Sequence, residues 1–203
     1  LRWDTNNSTF LTPWTPGSGM PANVDDEVYS MLSVGDDLWI GTYQGGSSDV
    51  SLWNSTQDQW TVYSANSLGS FAYPADLNLC DGIVHVALGQ VAWWSPGFVA
   101  RYDYEDHDGN GVMDEWIDSW DNSDLSDSDP RAVACDEAHP MAYVAFDTDN
   151  VGIDRYSYSS SSFESTILPS DGIAIEPVFP GGLLHDDDLL IASHVDQGGI
   201  SRV

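Results

Sequence analysis

The sequence contains no lysine, and only five arginines stand against 33 acidic residues, which gives a formal net charge of −28 at pH 7. A surface with this charge repels phosphate groups, so nucleic acid and anionic membranes are disfavoured as partners. Acidity of this kind is compatible with salty water, where ions screen the repulsion between carboxylates. A strongly solvated acidic surface explains it equally well. A marine or halophilic source therefore remains one of two interpretations.

Cysteine and long apolar runs are also scarce. Two cysteines are too few for a disulfide-rich scaffold or a four-ligand zinc site. No apolar run approaches the roughly 18 residues of a membrane span, and no signal peptide opens the chain. Because residues 1–4 already have the pattern of a strand, we expect any export signal to lie upstream. Three Asn-x-Ser/Thr triplets are compatible with export, at Asn6, Asn7 and Asn54.

The common catalytic motifs are missing. The sequence has no Gly-x-Ser-x-Gly elbow, no His-Glu-x-x-His, no phosphate loop and no dinucleotide fingerprint. Carboxylates are so numerous that a glycosidase-like pair cannot be singled out. The absence of a motif does not exclude an enzyme whose site is assembled from several repeats. It does favour a binding module.

An internal repeat is present. Five segments align when the chain is laid on itself: Leu1-Arg-Trp-Asp, Ser51-Leu-Trp-Asn, Ala100-Arg-Tyr-Asp, Asp154-Arg-Tyr-Ser and Ser201-Arg-Val. An aromatic residue follows the aligned aromatic by seven residues in three of them, pairing Trp3 with Phe10, Trp53 with Trp60 and Tyr156 with Phe163. Tyr102 is followed by Trp116 only after fourteen residues, so this hairpin carries a seven-residue insertion.

Two further strands precede each aligned segment, with the second strands at Asp37-Leu-Trp-Ile-Gly-Thr, Ile83-Val-His-Val-Ala, Met141-Ala-Tyr-Val-Ala and Asp188-Leu-Leu-Ile-Ala. The first strands are expected around residues 28–34, 75–80, 131–135 and 173–179. Short β-branched and aromatic strands between Gly, Asp, Asn and Ser turns, four to a unit, are typical of β-propeller blades.

The sequence therefore predicts an all-β fold, an arc of four-stranded antiparallel blades forming a partial β-propeller. Residues 1–203 form one domain in this interpretation, cut from a longer protein. Residues 1–16 end one blade, residues 28–64, 75–120 and 131–168 form whole blades, and residues 173–203 begin another.

The first whole unit, Val28 to Gly46 followed by Leu52-Trp-Asn-Ser-Thr-Gln-Asp-Gln-Trp-Thr-Val-Tyr, closely resembles the two-component-regulator propeller repeat. That family forms the extracytoplasmic sensor region of hybrid histidine kinases and also occurs in secreted proteins. The resemblance implies a propeller fold and a sensor function. The other units depart from its Leu-Trp-Ile-Gly-Thr core, with His85 and Tyr143 in place of Trp39, and Ala87 and Ala145 in place of Gly41.

The inserted residues predict a calcium loop. Oxygen donors at loop positions 1, 3, 5 and 9, glycine at position 6 and a backbone carbonyl at position 7 match most of an EF-hand-like loop. The expected ligands are Asp106, Asp108, Asn110, Val112, Asp114 and Asp118. Ile117 replaces the bidentate glutamate of position 12, so Asp118 or Glu115 would have to supply that ligand. An acidic turn without metal is the alternative.

Several other residues have two interpretations. Trp93 and Trp94 form either an aromatic platform for a sugar ring or packing between blades. We expect Cys80 and Cys135 to occupy equivalent positions of consecutive units, and they form a disulfide only if their Cα atoms lie within about 7 Å. The remaining sets are expected to be structural: Trp39, Trp53, Trp60 and Trp116 as core residues; Arg2, Arg101, Arg155 and Arg202 at one phase of the repeat; and His85, His139, His185 and His194, which lack metal spacing.

We expect a non-catalytic binding or sensor module, extracellular or on the cell surface, that contacts a glycan, peptide or protein and carries a structural Ca²⁺. The alternative is a fragment of a propeller enzyme that acts on polysaccharide, as a hydrolase or lyase.

Overall fold

The computed structural model describes most of the chain, and its side chains are described only between residues 27 and 167. The described residues are 2–4, 9–11, 15–16, 19–20, 27–44, 47–68, 72–91, 95–107, 109–136, 138–147, 152–167, 180–186, 189–194 and 200–202. Side chains are described for the same residues from 27 to 167, except 44, 47, 65 and 66.

The described part is all-β, as predicted, with one four-residue helical turn, Ala65–Leu68 (α1). The strands are β1 Arg2–Asp4, β2 Thr9–Leu11, β3 Thr15–Pro16, β4 Gly19–Met20, β5 Glu27–Val34, β6 Asp37–Gln44, β7 Ser47–Asn54, β8 Gln59–Ser64, β9 Ala72–Cys80, β10 Ile83–Gln90, β11 Phe98–Asp103, β12 Glu115–Trp120, β13 Pro130–Asp136, β14 Met141–Phe146, β15 Ile153–Ser157, β16 Ser162–Phe163, β17 Pro180–Asp186, β18 Leu189–His194 and β19 Ile200–Arg202. No described helix is long and apolar enough to cross a membrane.

Three four-stranded antiparallel sheets follow one another along the chain, each built from sequential hairpins. We call them sheet I (β5–β8), sheet II (β9–β12) and sheet III (β13–β16). A three-stranded sheet, sheet IV (β17–β19), follows, and the hairpin β1–β2 precedes them. The aromatic residues that recur with the repeat face each other across the outer hairpins: Trp3 pairs with Phe10, Trp53 with Trp60, Tyr102 with Trp116 and Tyr156 with Phe163.

One expected strand was misplaced. The strand that pairs with β18 is β17, Pro180–Asp186, not residues 173–179. Two residues separate β17 from β18, as two separate β5 from β6. The tight hairpin connection therefore fixes the first strand directly before the second. Residues 173–179 themselves lie outside the described residues.

Each first strand carries a β-bulge at the same place. The extra residues are Tyr29 in β5, Ala75 in β9, Arg131 in β13 and Gly181 in β17. A bulge inserts one unpaired residue and increases the local twist. The same irregularity recurs in four sheets, so the sequence repeat is also a repeat of backbone geometry.

The first strands of successive sheets contact one another: β5 meets β9, β9 meets β13 and β13 meets β17. Sheet II is covered on both faces, so β10 is buried along seven of its eight residues. Its Val84 and Val86 pack towards sheet I, whereas Ala87 packs towards sheet III. This explains why β10 has a continuous apolar run instead of alternation.

Sheet I differs in the exposure of its first strand, although Ile40, Thr42 and Ser51 on the same face are buried. Met31 is 66% exposed, whereas Leu77 and Val133, at the corresponding positions of β9 and β13, are buried. Gly41 lies on the face of sheet I that packs against sheet II. A Cβ built there would lie 2.8 Å from Pro74 Cβ in sheet II, so the close approach of the two sheets requires glycine.

Candidate functional site

One end of sheets I, II and III gathers polar and aromatic side chains, where each first strand begins and each second strand ends. The residues that meet there are Glu27 and Tyr43 in sheet I, Tyr73 and Gly89 in sheet II, and Asp129 and Asp147 in sheet III. The bulge residues Tyr29 and Arg131 add to them. We call Tyr29, Tyr43, Tyr73 and Arg131, with Glu27, Asp129 and Asp147, the tyrosine–arginine surface.

Three tyrosine rings of this surface touch one another. Ring centroids lie 6.0 Å apart for Tyr29 and Tyr43, 5.6 Å for Tyr29 and Tyr73, and 5.9 Å for Tyr43 and Tyr73. These are the separations of aromatic rings in direct contact. Tyr29 is 46% exposed, whereas Tyr43 and Tyr73 are half-buried. The Tyr29 ring is therefore the part that faces solvent.

Arg131 joins the tyrosines to two carboxylates. Its guanidinium lies 4.7 Å from the Tyr73 ring centroid, a cation–π contact. Its Nη2 lies 3.2 Å from Asp129 Oδ2 and also contacts Asp147 Oδ2. These contacts fix the side chain, which remains 27% exposed. Arg131 Nε and the Tyr73 hydroxyl are buried without a hydrogen-bond partner in the described part of the molecule.

Asp129 titrates far from its ordinary range. Burial raises the pKa of Asp129 to about 7, and the neighbouring carboxylates of Asp147 and Asp127 add to the shift, against a hydrogen bond from the Gln90 amide. That amide lies 2.6 Å from Asp129 Oδ1. The Arg131 guanidinium also contacts Asp129, through the same nitrogen that contacts Asp147.

Sheet II leaves room for Tyr73 because Gly89 has no side chain. A Cβ built on Gly89 would lie 2.8 Å from Tyr73 Cζ, so the tyrosine ring lies directly over this glycine. The bulge residue of sheet II, Ala75, is small as well, whereas sheets I and III carry Tyr29 and Arg131 there. The large side chains of sheets I and III therefore flank a single ring of sheet II.

The sequence patterns did not single out this surface. A signal existed, because Arg131 is the one arginine that does not share the phase of Arg2, Arg101, Arg155 and Arg202. A cation outside the structural phase of a repeat requires another explanation. The tyrosines offered no such signal, since aromatic residues recur throughout the strands.

The inserted loop forms a closed turn. Gly109 and Gly111 have φ of +72° and +85°, values that favour glycine. The Gly111 amide donates to Asp106 Oδ1 at 2.9 Å, and the Val112 amide donates to Asn110 Oδ1 at 2.7 Å. Asn110 Nδ2 lies 2.5 Å from Glu115 Oε1. Glu115 therefore reaches back into the loop.

The other predicted ligands are placed differently. Asp114 has a φ of +59° and is exposed. Its carboxylate is near Tyr104: burial raises the pKa of Tyr104 to about 12, and Asp37 and Asp114 add to the shift, while the hydrogen bond with Trp39 opposes it. Asp118 is exposed on β12, and its carbonyl accepts a hydrogen bond from Arg101. Asp108 lies outside the described residues.

The described part of the loop brings several oxygen donors near one another along the chain. Asp106, Asn110 and Glu115 are joined by the short loop, and their oxygen atoms are the chemistry that Ca²⁺ prefers. Yet the described side chains contain no group of three or more His, Cys, Asp or Glu residues that could hold a metal ion. Asp108 lies outside the described residues, and the calcium loop stays a prediction.

His107 connects the inserted loop to the end of β11. Its Nδ1 lies 2.7 Å from Oδ1 of Asp103, a buried carboxylate at the end of β11. Burial would raise the pKa of Asp103, but hydrogen bonds from His107 and from the Glu105 amide outweigh it and hold the pKa below its ordinary value. The side chain at loop position 2 is thus engaged with the sheet.

Cys80 and Cys135 form a disulfide, with their Cα atoms 5.3 Å apart. The expectation that they occupy equivalent positions is wrong by one residue. Cys80 pairs with Ile83 across its hairpin, and the residue in the same register of sheet III is Asp136, which pairs with Met141. Side chains alternate between faces along a strand. Facing cysteines of consecutive sheets must therefore differ by an odd number of positions.

Trp39 and His85 make the same contact between sheets. Trp39 Nε1 donates to the Tyr104 hydroxyl of sheet II at 2.7 Å, and the Tyr158 hydroxyl of sheet III lies 2.8 Å from His85 Nε2. Tyr104 and Tyr158 each follow the aligned aromatic residue of their sheet by two positions. His85 Nδ1 lies 3.0 Å from the Ile83 carbonyl, so the ring serves as a structural link.

The remaining candidates that the structure describes are also structural. Arg101 Nε donates to the Asp118 carbonyl at 2.7 Å, and Arg155 Nε donates to the Ser165 carbonyl at 3.0 Å, as expected for arginines at one phase of the repeat. Trp53 packs on Trp60, and Trp116 packs on Tyr102 and Tyr63, with centroids 5.1–5.6 Å apart.

The remaining candidates are His139, the pair Trp93 and Trp94, the arginines Arg2 and Arg202, and the histidines His185 and His194. His139 Nδ1 lies 3.0 Å from Asp136 Oδ2 in a polar turn. Trp93 and Trp94 lie outside the described residues. The side chains of Arg2, Arg202, His185 and His194 lie outside them as well.

Comparison with known proteins adds no relative: the chain matches no protein-family model and no curated protein. The resemblance to the two-component-regulator repeat therefore depends on the residues of the first unit alone.

Proposed function

We propose that this chain is an arc of a β-propeller and that it acts as a non-catalytic binding module, extracellular or on the cell surface, for a glycan, peptide or protein. Its inserted loop takes a structural Ca²⁺. The resemblance of the first unit to a sensor repeat agrees with this proposal.

Three features support the propeller arrangement. The same bulge recurs in four first strands, these strands contact one another in sequence order, and the Trp39–Tyr104 contact between sheets recurs as His85–Tyr158. Radially packed blades that bury their faces only against neighbours would show this pattern.

The observation that carries the binding function is the tyrosine–arginine surface. Three successive sheets contribute to it. Strands position the side chains of Glu27, Tyr29, Tyr43, Tyr73 and Arg131. Asp129 and Asp147 each lie directly next to a strand. An exposed ring beside a few fixed polar groups is the usual composition of a recognition site. The Cys80–Cys135 disulfide supports an oxidising compartment, where such bonds persist.

An array of glycans and peptides, probed with the labelled chain, tests this function. The wild-type chain should bind at least one ligand of the array. Tyr29→Ala should abolish this binding, whereas Met31→Ala, which changes an exposed apolar residue of the same strand, should leave it intact. Ligands that bind both variants equally would place the recognition surface elsewhere.

A propeller enzyme acting on polysaccharide is the second candidate, and Asp129 favours it. A carboxyl group with a pKa of about 7 beside Asp147 could act as a general acid or base. Both carboxylates, however, contact the same guanidinium nitrogen, so Arg131 already engages them. For this reason we place binding first.

Release of reducing ends, or of unsaturated ends, from polysaccharides distinguishes the two functions. If the chain is an enzyme, it should cleave polysaccharide, and Asp129→Asn should abolish the cleavage. If the chain is a binding module, it should retain polysaccharide without cleaving it.

The calcium proposal is tested by thermal unfolding. Ca²⁺ at millimolar concentration should raise the melting temperature, because a cation relieves the repulsion among the loop carboxylates. Asp106→Ala and Asp108→Ala should abolish the rise. His107→Ala should lower the melting temperature equally with and without Ca²⁺, because His107 binds Asp103 and not the loop. Calorimetry that detects no binding at millimolar Ca²⁺ would leave an acidic turn.

A further inference from the structure

We infer that the tyrosine–arginine surface binds an uncharged polysaccharide, with Tyr29 as the ring on which a sugar stacks and Arg131 as the principal hydrogen-bond donor. This inference rests on the proposed binding function and specifies the ligand class for the same surface.

Tyr29 provides the stacking face. It is the exposed member of three touching rings, and contacts with Tyr43 and Tyr73 hold it in place. The face of an aromatic ring is electronegative and attracts C–H groups that carry partial positive charge. One face of a pyranose ring presents such C–H groups. A flat exposed ring that is already immobilised loses little entropy when it binds.

Arg131 provides hydrogen-bond donors beside that ring. A guanidinium has five N–H donors, and both carboxylates contact one nitrogen, Nη2. Donors therefore remain for a ligand, next to the carboxylate oxygens as acceptors. Adjacent sugar hydroxyls both donate and accept, which matches this mixture. The buried Nε of Arg131 and the Tyr73 hydroxyl, without partners in the described structure, also indicate a polar group that these residues do not supply.

Charge argues against an anionic ligand. Glu27, Asp129 and Asp147 outnumber the single cation Arg131 at this surface, and the whole chain carries a formal charge of −28. A uronate or sulfate would have to approach through that potential. Arg131, already paired with two carboxylates, offers little net positive charge to an anion.

The ring geometry argues against a cationic ligand. An aromatic cage holds an ammonium group between its ring faces. The centroids of Tyr29, Tyr43 and Tyr73 lie only 5.6–6.0 Å apart, so the rings fill the space between them. The nearby carboxylates of Asp129 and Asp147 are engaged by Arg131. A proline-rich peptide would also use exposed aromatic rings, but it has few hydroxyl groups for the polar side of this surface.

Calorimetry with matched oligomers tests the inference. The probes are neutral hexasaccharides (cellohexaose, xylohexaose, mannohexaose and maltohexaose), hexagalacturonate, a glucosamine hexamer and a proline-rich decapeptide. Moderately high salt screens non-specific attraction of cations to the acidic surface. The variants are Tyr29→Ala, Tyr29→Phe, Arg131→Gln and the control Met31→Ala, each checked for folding by circular dichroism.

At least one neutral hexasaccharide should bind, and Tyr29→Ala should weaken it about tenfold or more. Arg131→Gln should weaken it as well, whereas Tyr29→Phe and Met31→Ala should leave it within about twofold. Binding confined to a charged oligomer or the peptide, but sensitive to Tyr29→Ala, would overturn the ligand class and keep the proposed surface. A neutral ligand insensitive to Tyr29→Ala would overturn the surface. No binding by any probe would contradict both the inference and the proposed function.

Discussion

The two interfaces of sheet II are built from different side chains on the same backbone plan. Towards sheet I the contact is aromatic: the buried Trp39 ring packs with its centroid 5.0–6.3 Å from those of Tyr63, Tyr102, Tyr104 and Trp116. Towards sheet III the corresponding position is His85, which packs on Trp120 of its own sheet, and Trp120 in turn packs on Tyr156 and Phe163 of sheet III.

Histidine is smaller and more polar than tryptophan, so the position of His85 contributes less apolar area to the second interface than the position of Trp39 contributes to the first. Further polar links and a covalent link also occur there. Asp76 accepts a hydrogen bond from the Val133 amide at 2.9 Å, Asn78 donates to the Val133 carbonyl at 3.0 Å, and Cys80 is bonded to Cys135. The repeat therefore fixes the positions at which neighbouring sheets meet, while different side chains stabilise each interface.

The largest expected effect is at the aromatic interface. Trp39→Ala removes a fully buried ring, together with its hydrogen bond to Tyr104, and should lower the free energy of unfolding by about 3–5 kcal/mol. Urea unfolding measures this loss. Trp53→Ala is the control, since Trp53 is half-buried and packs on Trp60 at the outer hairpin. Equal losses for the two variants would mean that the interface between sheets contributes nothing special.

Loss of the disulfide should come next. Cys80→Ala with Cys135→Ala should cost about 2–4 kcal/mol, because the bond restricts a long segment of the unfolded chain. Unfolding of the variant and of the wild type under matched conditions measures the difference. Thiol titration of the unfolded, unreduced wild type should detect no free thiol; two free thiols would remove the covalent link from the comparison.

The third expected effect is a pH dependence at the second interface, with no loss of stability at neutral pH. Burial, with the nearby charge of Arg101, lowers the pKa of His85 to about 3, against an ordinary value of 6.5. Between these values the unfolded state binds a proton that the folded state does not. The contribution of His85 is therefore complete above about pH 6.5, and it is lost as the pH falls towards 3.

The loss should reach up to about 1.4 kcal/mol per pH unit below pH 6. Asp129 has the opposite sign, because its raised pKa makes stability fall as pH rises from about 4 to 7. Comparison of wild type with His85→Gln across pH 4–7 cancels that background. A constant difference between the two proteins would show that His85 does not titrate in this way.

Much of the strand plan was predictable from sequence, because it depends on local patterns. The aligned aromatics, the insertion before Trp116 and the two-residue turns set the hairpin register directly. The bulges were not predictable, since Tyr29, Ala75 and Arg131 share no chemistry. The odd offset between Cys80 and Cys135 follows from the two faces of a strand, which an alignment of repeats ignores.

The candidate binding surface was less accessible to sequence reasoning than the calcium loop. A calcium loop has its donors within twelve residues, so spacing alone predicts it. Tyr29, Tyr73 and Arg131 are each more than forty residues apart in the chain. Only the packing of successive first strands brings them together.

The central claim is that sheets I, II and III are related by one repeated step, as blades are. The Cys80–Cys135 bond tests this claim directly, because the same step applied one sheet earlier brings Val34 against Leu79. Both side chains already pack against the core between sheets I and II.

The measurement is thiol titration and non-reducing mass mapping of the double variant Val34→Cys, Leu79→Cys. The account predicts a second disulfide beside the native one. The control, Val34→Cys with Asn78→Cys, should keep two free thiols, because Asn78 points towards Val133 in sheet III. A folded Val34→Cys, Leu79→Cys variant that retains two free thiols under oxidising conditions would contradict the repeated step and, with it, the propeller.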